Sequence, residues 1–249
     1  MITTDLHMHT VLSDGKDEPE SMVLSAMGKG LDTVGISDHS WTFFDESYCM
    51  PKEKYPVYRA LIRTLKEKYS GRINVRCGIE QDYYSTLPPE GFDYVIGSVH
   101  YIRVRDEYIP VDDGSDILRA AAGRFFKGDI LSLAECYFDT VSDVIAKTGA
   151  DIIGHFDLIS KFNEGDILFD SSDERYRAAW KKAALQLLKT EKPFEINTGA
   201  ISRGYRTAPY PSFEMIDFIK ENGGQLVLSS DAHAKENISC MFESLEYLI

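Results

Sequence analysis

The residues best suited to chemistry stand near the start of the chain. The stretch TDLHMHTVLSDG, residues 4–15, places His7 and His9 at alternate positions. Successive side chains of a β-strand point to opposite faces, so two residues separated by a single residue share a face. Two imidazoles on one face are either polar groups paired with neighbours or ligands of a metal ion. The positions of the other histidines and carboxylates in the chain distinguish between these alternatives.

The elements that position these residues are predicted from hydrophobic periodicity. Strands are predicted near residues 2–9, 32–38, 73–80, 94–99, 151–155, 193–197 and 225–230. Helices are predicted at residues 18–29, 52–69, 131–148, 172–190, 212–222 and 235–248. Residues 102–128 are predicted to form a long irregular excursion over the barrel, with a helix within residues 115–126. Strands alternating with helices indicate an α/β fold, a distorted seven-stranded barrel formed by residues 1–249 as one domain.

All six histidines lie at or just after the ends of predicted strands, and none falls in a predicted helix. They are His7, His9, His39, His100, His155 and His233. The carboxyl ends of barrel strands form the functional face, so these imidazoles are expected to meet around one opening. Four carboxylates occupy the same positions: Asp14, Asp38, Glu80 and Asp231. Mixed imidazole and carboxylate ligands suit zinc, manganese or iron better than calcium or magnesium.

The composition limits the partners of the chain. A formal net charge of -13 argues against a nucleic-acid surface but leaves room for a small anionic substrate at a cationic site. No signal peptide and no membrane-spanning stretch is recognised. The four cysteines show no metal or redox spacing, so we expect free thiols and a cytoplasmic protein. No apolar seam in the sequence indicates an oligomeric state.

Seven short motifs resemble those of the polymerase and histidinol phosphatase (PHP) superfamily, in order and spacing, from Asp5 to His233. They are DLHMHTVLSDG, GISDHS, GIEQDY, IGSVH, IIGHFDL, EINTG and SSDAH. The single-domain length and longer runs such as IIGHFDLISKF and EINTGAISRGYRTAPYPS are similar to the histidinol-phosphate phosphatases. The resemblance implies a distorted (β/α)7 barrel that holds three divalent metal ions and hydrolyses L-histidinol phosphate to L-histidinol and phosphate.

The resemblance also implies a ligand set for each ion. The first ion would take His7, His9, Glu80 and Asp231. The second would share Glu80 and take His100 and His155. The third would take Asp14, His39 and His233, and some relatives carry a histidine where this chain has Asp14.

The implied chemistry is attack on a phosphate monoester by a metal-bridged hydroxide, with Glu80 and Asp231 as catalytic residues. Arg203 and Lys161 are candidates for binding the phosphate, and Arg206 is a further one. Asp231 or a metal-bound water could protonate the leaving group. Asn197 and Asp157 are expected to orient ligands, and Asp38 is expected either to orient His39 or to hold a turn. The aromatic run at residues 41–44 either forms a wall for an imidazole or packs a loop.

Three other functions are compatible with these residues. One is a PHP enzyme that acts on nucleotides, oligonucleotides or phosphotyrosine. Another is an amidohydrolase, although no metal-bridging lysine is recognised at a strand end. The last is a non-enzymatic metal-binding protein, which the retention of all expected ligands disfavours. A test with several phosphate esters in the presence of manganese or zinc separates these possibilities.

Overall fold

The computed structural model describes residues 2–249. The strands within this range are β1 (Thr4–Asp5), β2 (Thr33–Ile36), β3 (Asn74–Asp82), β4 (Tyr94–Ser98), β5 (Tyr101–Val104), β6 (Glu107–Pro110), β7 (Ile152–Ile153), β8 (Phe194–Asn197) and β9 (Leu226–Ser229). Seven of them form one parallel sheet in the order β1-β2-β3-β4-β7-β8-β9, while β5 and β6 pair as an antiparallel hairpin. This sheet confirms the seven predicted strands and the distorted barrel.

Helices connect the strands of the parallel sheet. They are α1 (Pro19–Gly28), α2 (Tyr55–Lys68), α3 (Ser115–Phe126), α4 (Ile130–Val141), α5 (Val144–Thr148), α6 (Glu174–Leu188), α7 (Gly199–Ser202), α8 (Phe213–Glu221) and α9 (Phe242–Leu245). In α2 the buried residues Tyr55, Tyr58, Ile62 and Leu65 recur three or four apart, which places them on one face of the helix. No helix within residues 2–249 has both the length and the apolar character needed to cross a membrane.

The barrel closes where the two ends of the sheet meet. Met8 and Ala232 form a parallel bridge just beyond β1 and β9, and the amide of His9 donates to the carbonyl of Ala232 at 2.9 Å. The buried carboxylate of Asp5 accepts hydrogen bonds from the amides of Ser230 and Ser239, at 3.1 and 3.0 Å. These contacts bring the residues after β1 beside the residues after β9.

The interior of the barrel is filled from the sheet itself. Tyr94 of β4 is buried and lies across β2 and β3, and its hydroxyl donates to the carbonyl of Leu6. A Cβ at Gly35 or Gly78 would lie 2.1 or 2.2 Å from the Tyr94 ring or hydroxyl. Glycine is therefore required at both positions because the tyrosine occupies that space.

Three predicted segments differ from the structure. The predicted helix 131–148 is divided into α4 and α5 at Ser142 and Asp143, where the Ser142 hydroxyl bonds to a backbone carbonyl of the preceding turn. The predicted helix 235–248 is wrong, because Ser239 and Met241 adopt left-handed backbone conformations and only short helical turns remain. The excursion 102–128 begins with the β5–β6 hairpin rather than irregular chain, whereas its helix α3 lies at the predicted position.

Replacing Tyr58 with phenylalanine is expected to lower the free energy of unfolding by about 1–3 kcal/mol. The fully buried Tyr58 hydroxyl lies 2.7 and 2.9 Å from the carbonyl oxygens of Ile36 and Gly78, so it links β2 to β3. Phenylalanine keeps the ring and removes this donor. Urea unfolding measures the loss, with Tyr247→Phe at an exposed hydroxyl as the control. Equal stability of the two variants would contradict the assigned link.

Candidate metal centre

The structure brings all six histidines to one end of the barrel. His7 and His9 follow β1, His39 follows β2, His100 follows β4, His155 follows β7 and His233 follows β9. Glu80 lies within β3, and Asp231 follows β9. These side chains meet because parallel strands all present their carboxyl ends at the same side of the sheet.

Glu80 lies at the centre of this cluster. Its Oε2 atom is 2.8 Å from His39 Nδ1 and 3.3 Å from His7 Nε2. Its Oε1 atom is 2.9 Å from His155 Nε2 and 3.4 Å from His100 Nε2. One buried carboxylate thus faces imidazoles from four loops, which is the arrangement expected of a ligand shared between ions.

Two further carboxylates extend the cluster. Asp231 Oδ1 lies 3.2 Å from His9 Nε2. Asp14 Oδ2 lies 3.2 Å from His233 Nε2, and Asp14 Oδ1 lies 3.6 Å from His39 Nε2. The Asp14 side chain is 32% exposed, whereas the Asp231 side chain is 6% exposed. The cluster therefore runs from a buried end at Glu80 to a more accessible end at Asp14.

The donor atoms of the cluster fit metal ions. Among the described residues, some buried atoms of the cluster lie close to other polar atoms but form no hydrogen bond of acceptable geometry: Nε2 of His7, both ring nitrogens of His9 and Oε2 of Glu80. Burying polar atoms without partners costs free energy, which metal coordination offsets. Three groups of ligand atoms each lie within 4.8 Å of one another: His9 with Asp14, His39 and His233; His7 with His9 and Glu80; and His39 with Glu80 and His100.

The charge states of Glu80 and His9 suit metal binding. Burial raises the pKa of Glu80, but His39 and His7 outweigh this effect and hold it well below its ordinary value. Burial, together with His39 and His233, lowers the pKa of His9 to about 3. Ionised carboxylates and neutral imidazoles are the forms that coordinate metals. Burial lowers the pKa of His7, His39 and His100, but the carboxylates beside them outweigh this effect and raise it above its ordinary value, so metal binding would displace protons from these imidazoles.

The buried strand β8 supplies residues that orient the ligands. Glu195 Oε1 lies 2.5 Å from His7 Nδ1, and its Oε2 accepts the backbone amide of His155 at 2.9 Å. The side-chain amide of Asn197 donates to Glu195 Oε2 at 2.9 Å and to Asp231 Oδ2 at 3.2 Å. This network holds His7 with its Nε2 towards Glu80 and joins Asn197 to Asp231, a candidate ligand.

Sequence reasoning missed two of these orienting residues. Glu195 is an acid in a strand that is otherwise apolar up to Asn197, and a fully buried acid needs a partner. Asp82 accepts from His100 through both the ring Nδ1 and the backbone amide, at 3.2 and 3.3 Å. It was missed because β3 was predicted to end at Glu80, whereas the strand continues to Asp82 on the same face.

Replacing Glu195 with glutamine is expected to weaken metal binding by about 10–100-fold, the usual cost of losing a partner that orients a ligand. Glutamine retains the shape of the side chain but lacks the charge that supports His7. Metal competition with a chelator measures the change, and the exposed substitution Glu221→Gln is the control. Unchanged affinity in Glu195→Gln would contradict the assigned role.

Of the three candidate phosphate-binding residues, two line the cavity beside the cluster and one does not. Arg203 lines the cavity beside the cluster, with Nη2 3.2 Å from Asp231 Oδ2 and Nη1 2.8 Å from His233 Nδ1. Lys161 lines the same cavity and donates to the backbone carbonyl of Asp112 at 2.8 Å. Arg206 is not brought to this cavity, because it donates to Ser160 and pairs with Asp157 instead.

The other residues that were predicted to orient ligands or to line the cavity have different contacts in the structure. The Asp38 carboxylate accepts from Thr10 and Ser13, so it holds the loop between His9 and Asp14 rather than the His39 ring. Asp157 pairs with Arg206 and forms hydrogen bonds with Ser160 and Ser212, and within residues 2–249 no hydrogen bond or ion pair joins its carboxylate to the cluster. The aromatic run 41–44 does not line the cavity, because Phe44 stacks on Tyr108, 3.9 Å between ring centroids.

The cavity above the cluster has a volume of about 380 Å³. Its lining includes aromatic side chains of Tyr48, Tyr101 and Tyr205 and the cations Arg203 and Lys161. A cavity of this size holds a small molecule, and its combination of cations and metal ligands suits a compact anion.

Comparison with known proteins gives consistent matches. The PHP domain family model matches residues 5–199. A protein of Deinococcus radiodurans named "Probable histidinol-phosphatase" is 28% identical over 96% of this chain and 89% of its own length. The crystal structure of an inferred histidinol phosphatase from Listeria monocytogenes has a TM-score of 0.82 and 19% identity, covering 97% of this chain and 99% of its own.

A second crystal structure carries ligands. It is histidinol phosphate phosphatase from Lactococcus lactis in complex with zinc, L-histidinol and phosphate. It superposes with a TM-score of 0.73 at 21% identity, covering 99% of this chain and 92% of that chain. The common barrel extends over nearly the whole of both chains.

Proposed function

Since the chain belongs to the PHP domain family, we propose that it is a metal-dependent phosphomonoesterase that hydrolyses L-histidinol phosphate to L-histidinol and phosphate. The observation that carries this proposal is the position of Glu80, a buried carboxylate whose two oxygens face imidazoles from four loops. The names of the relatives and the zinc, L-histidinol and phosphate bound in the Lactococcus lactis protein support the choice of substrate.

The proposed ligand sets use the whole cluster. One ion would be held by His7, His9, Glu80 and Asp231, a second by Glu80, His100 and His155, and a third by Asp14, His39 and His233. The short contacts of Glu80 and Asp231 with these imidazoles support the first two sets, and Asp14 with His39 and His233 supports the third. Zinc, manganese and iron suit these donors.

When bound, the ions supply Lewis-acid activation of water and neutralisation of phosphate charge. The chain contributes the remaining steps. Arg203 would bind a phosphate oxygen through its guanidinium, which approaches the cluster at Asp231 and His233. Glu80 and Asp231 are held ionised in the cluster, the form in which they would hold the ions. As a carboxylate, Asp231 would accept the proton that the attacking water gives up and pass it to the departing alkoxide, and it is our candidate for this role.

Lys161 has a separate role in this proposal. Its ammonium lies 4.8 Å from the Tyr205 ring centroid and is paired with Asp112. It therefore contributes positive charge to the cavity wall but is not placed to bind at the cluster. It would attract the phosphate on entry, while Arg203 binds it. The four free cysteines support the cytoplasm as the proposed location, and the acidic chain disfavours nucleic acid as a partner.

The purified protein supplied with manganese or zinc is expected to release phosphate from L-histidinol phosphate. Its kcat/KM for this ester should exceed those for a nucleoside monophosphate and phosphotyrosine by at least about tenfold, the order of discrimination that the fit of a leaving group to the cavity provides. Chelation should abolish release, and added metal should restore it. Preference for a nucleotide would overturn the substrate, and activity that survives chelation would overturn the metal dependence.

A further inference from the structure

Asp14 differs from the other candidate ligands in the way the chain holds it. Glu80 lies within β3, and the histidines and Asp231 lie within a few residues of a strand end. Asp14 lies farther along the loop between β1 and α1, and its side chain is more exposed than that of any other candidate ligand. The backbone pairing of the sheet therefore does not fix the Asp14 carboxylate, and other contacts have to do so.

Backbone hydrogen bonds close a tight turn around Asp14, formed by residues 10–15. The amides of Ser13 and Gly15 donate to the carbonyl of Thr10 at 3.0 and 2.9 Å. A Cβ at Gly15 would lie 2.3 Å from the carbonyl oxygen of His9, so only glycine allows the chain to turn back this closely. Directly after the turn, the amide of Lys16 donates to the carbonyl of His233 at 2.8 Å, which brings Asp14 beside that histidine.

The buried carboxylate of Asp38 holds this turn from the end of β2. Its Oδ1 atom accepts the amide of Thr10 at 2.7 Å and the hydroxyl of Ser13 at 2.5 Å, and its Oδ2 atom accepts the hydroxyl of Thr10 at 2.8 Å. Three donors on one carboxylate suit its ionised form, which only accepts, and such hydrogen bonds are stronger than neutral ones. The Ser13 hydroxyl is 3.5 Å from Asp14 Oδ1, so Asp38 is its closer partner.

We propose that Asp38 is a positioning residue that acts through Ser13 and Asp14 to set the affinity of the third ion, which Asp14, His39 and His233 would hold. This inference rests on the ligand sets of the proposed function. Within residues 2–249 no hydrogen bond joins the Asp38 carboxylate to a ring of the cluster, so it acts through the turn and binds no ion. The other two ligand sets include no residue of the turn, and they should keep their affinities.

Loss of the Ser13 hydroxyl tests the proposal at a half-buried position where the fold should tolerate it. Competition with a chromophoric chelator counts the zinc ions bound by the purified protein and measures each affinity. The wild type is expected to bind three ions. Ser13→Ala should weaken one of them about tenfold and leave the other two unchanged, because the ligand loses a partner that orients it. Ser13→Thr keeps the hydroxyl and should keep all three affinities.

Two further variants assign the effect to Asp38 and Asp14. Asp38→Asn keeps the volume of the side chain but loses its charge and one accepting oxygen, so it should weaken the same ion. Asp14→Ala removes the ligand itself. If Ser13 acts through Asp14, adding Ser13→Ala to Asp14→Ala should cause little further loss. The matched control is Ser244→Ala, at an exposed serine outside the cavity lining.

Several outcomes would overturn the proposal. They are a wild type that binds only two ions, unchanged affinities in Ser13→Ala or Asp38→Asn, equal weakening of all three ions, and a full effect of Ser13→Ala in the Asp14→Ala protein. Zinc binding is measured without substrate, so it is independent of the reaction. Selective weakening of one ion in a protein that does not hydrolyse L-histidinol phosphate would overturn the proposed substrate and leave the role of Asp38 supported.

Discussion

Replacing Glu80 with glutamine is expected to lower kcat/KM for L-histidinol phosphate by about a thousandfold or more. Glutamine has nearly the same shape, so the barrel should fold, but the side chain loses the charge that faces imidazoles from four loops. Loss of a shared ligand removes several kcal/mol of charge stabilisation, and each 1.36 kcal/mol is about tenfold in rate. The purified variant should also contain less metal than the wild type.

Two measurements separate loss of metal from loss of fold. Elemental analysis reports the metal content, and circular dichroism reports the barrel. The matched control is Glu53→Gln, at an exposed position outside the cavity. A Glu80→Gln protein with full metal content and full activity would contradict the central place of this carboxylate.

Replacing Arg203 with alanine is expected to lower kcat/KM by about 100-fold, mostly through a higher KM. The guanidinium contacts Asp231 and His233 at the cluster, and a hydrogen bond between two charged groups, such as one to phosphate, is stronger than a neutral one. Such bonds contribute about 1.5–3 kcal/mol each. Arg203→Lys should recover only part of the loss, because an ammonium cannot bind two phosphate oxygens in the planar geometry of a guanidinium.

Inhibition by inorganic phosphate gives an independent measurement of the Arg203 effect. The phosphate inhibition constant should rise in Arg203→Ala in parallel with KM, and the exposed control Arg63→Ala should leave both unchanged. If KM rises while the phosphate constant stays at its wild-type value, Arg203 does not bind the phosphate. Its contacts with Asp231 and His233 would then be its only role.

The cluster could be predicted from the sequence because its members follow strands. The residues that follow the strands of a parallel barrel all lie at one end of it. The sequence positions of His7, His39 and His155 relative to the strands therefore predicted their approximate place in the structure. Glu80 was found because it ends the predicted strand 73–80. The spatial order around Glu80 was beyond prediction, since it depends on how the sheet twists and closes.

The missed features depend on contacts between distant segments. The role of Glu195 depends on the contact between its carboxylate in β8 and the His7 ring, and no local sequence pattern indicates that contact. The predicted helix at 235–248 failed for a similar reason, because Asp5 binds the amide of Ser239 and Thr198 binds the carbonyl of Cys240. Tertiary hydrogen bonds therefore override the helical periodicity of that segment.

The bridge between Met8 and Ala232 has a consequence for biosynthesis. It joins segments from opposite ends of the sequence, and the cluster combines His7 and His9 from one segment with Asp231 and His233 from the other. Contacts with such high sequence separation form late, because a large loop must close first. The complete ion-binding pocket thus arises only after the ribosome has made the last strand, and a shortened nascent chain cannot assemble it.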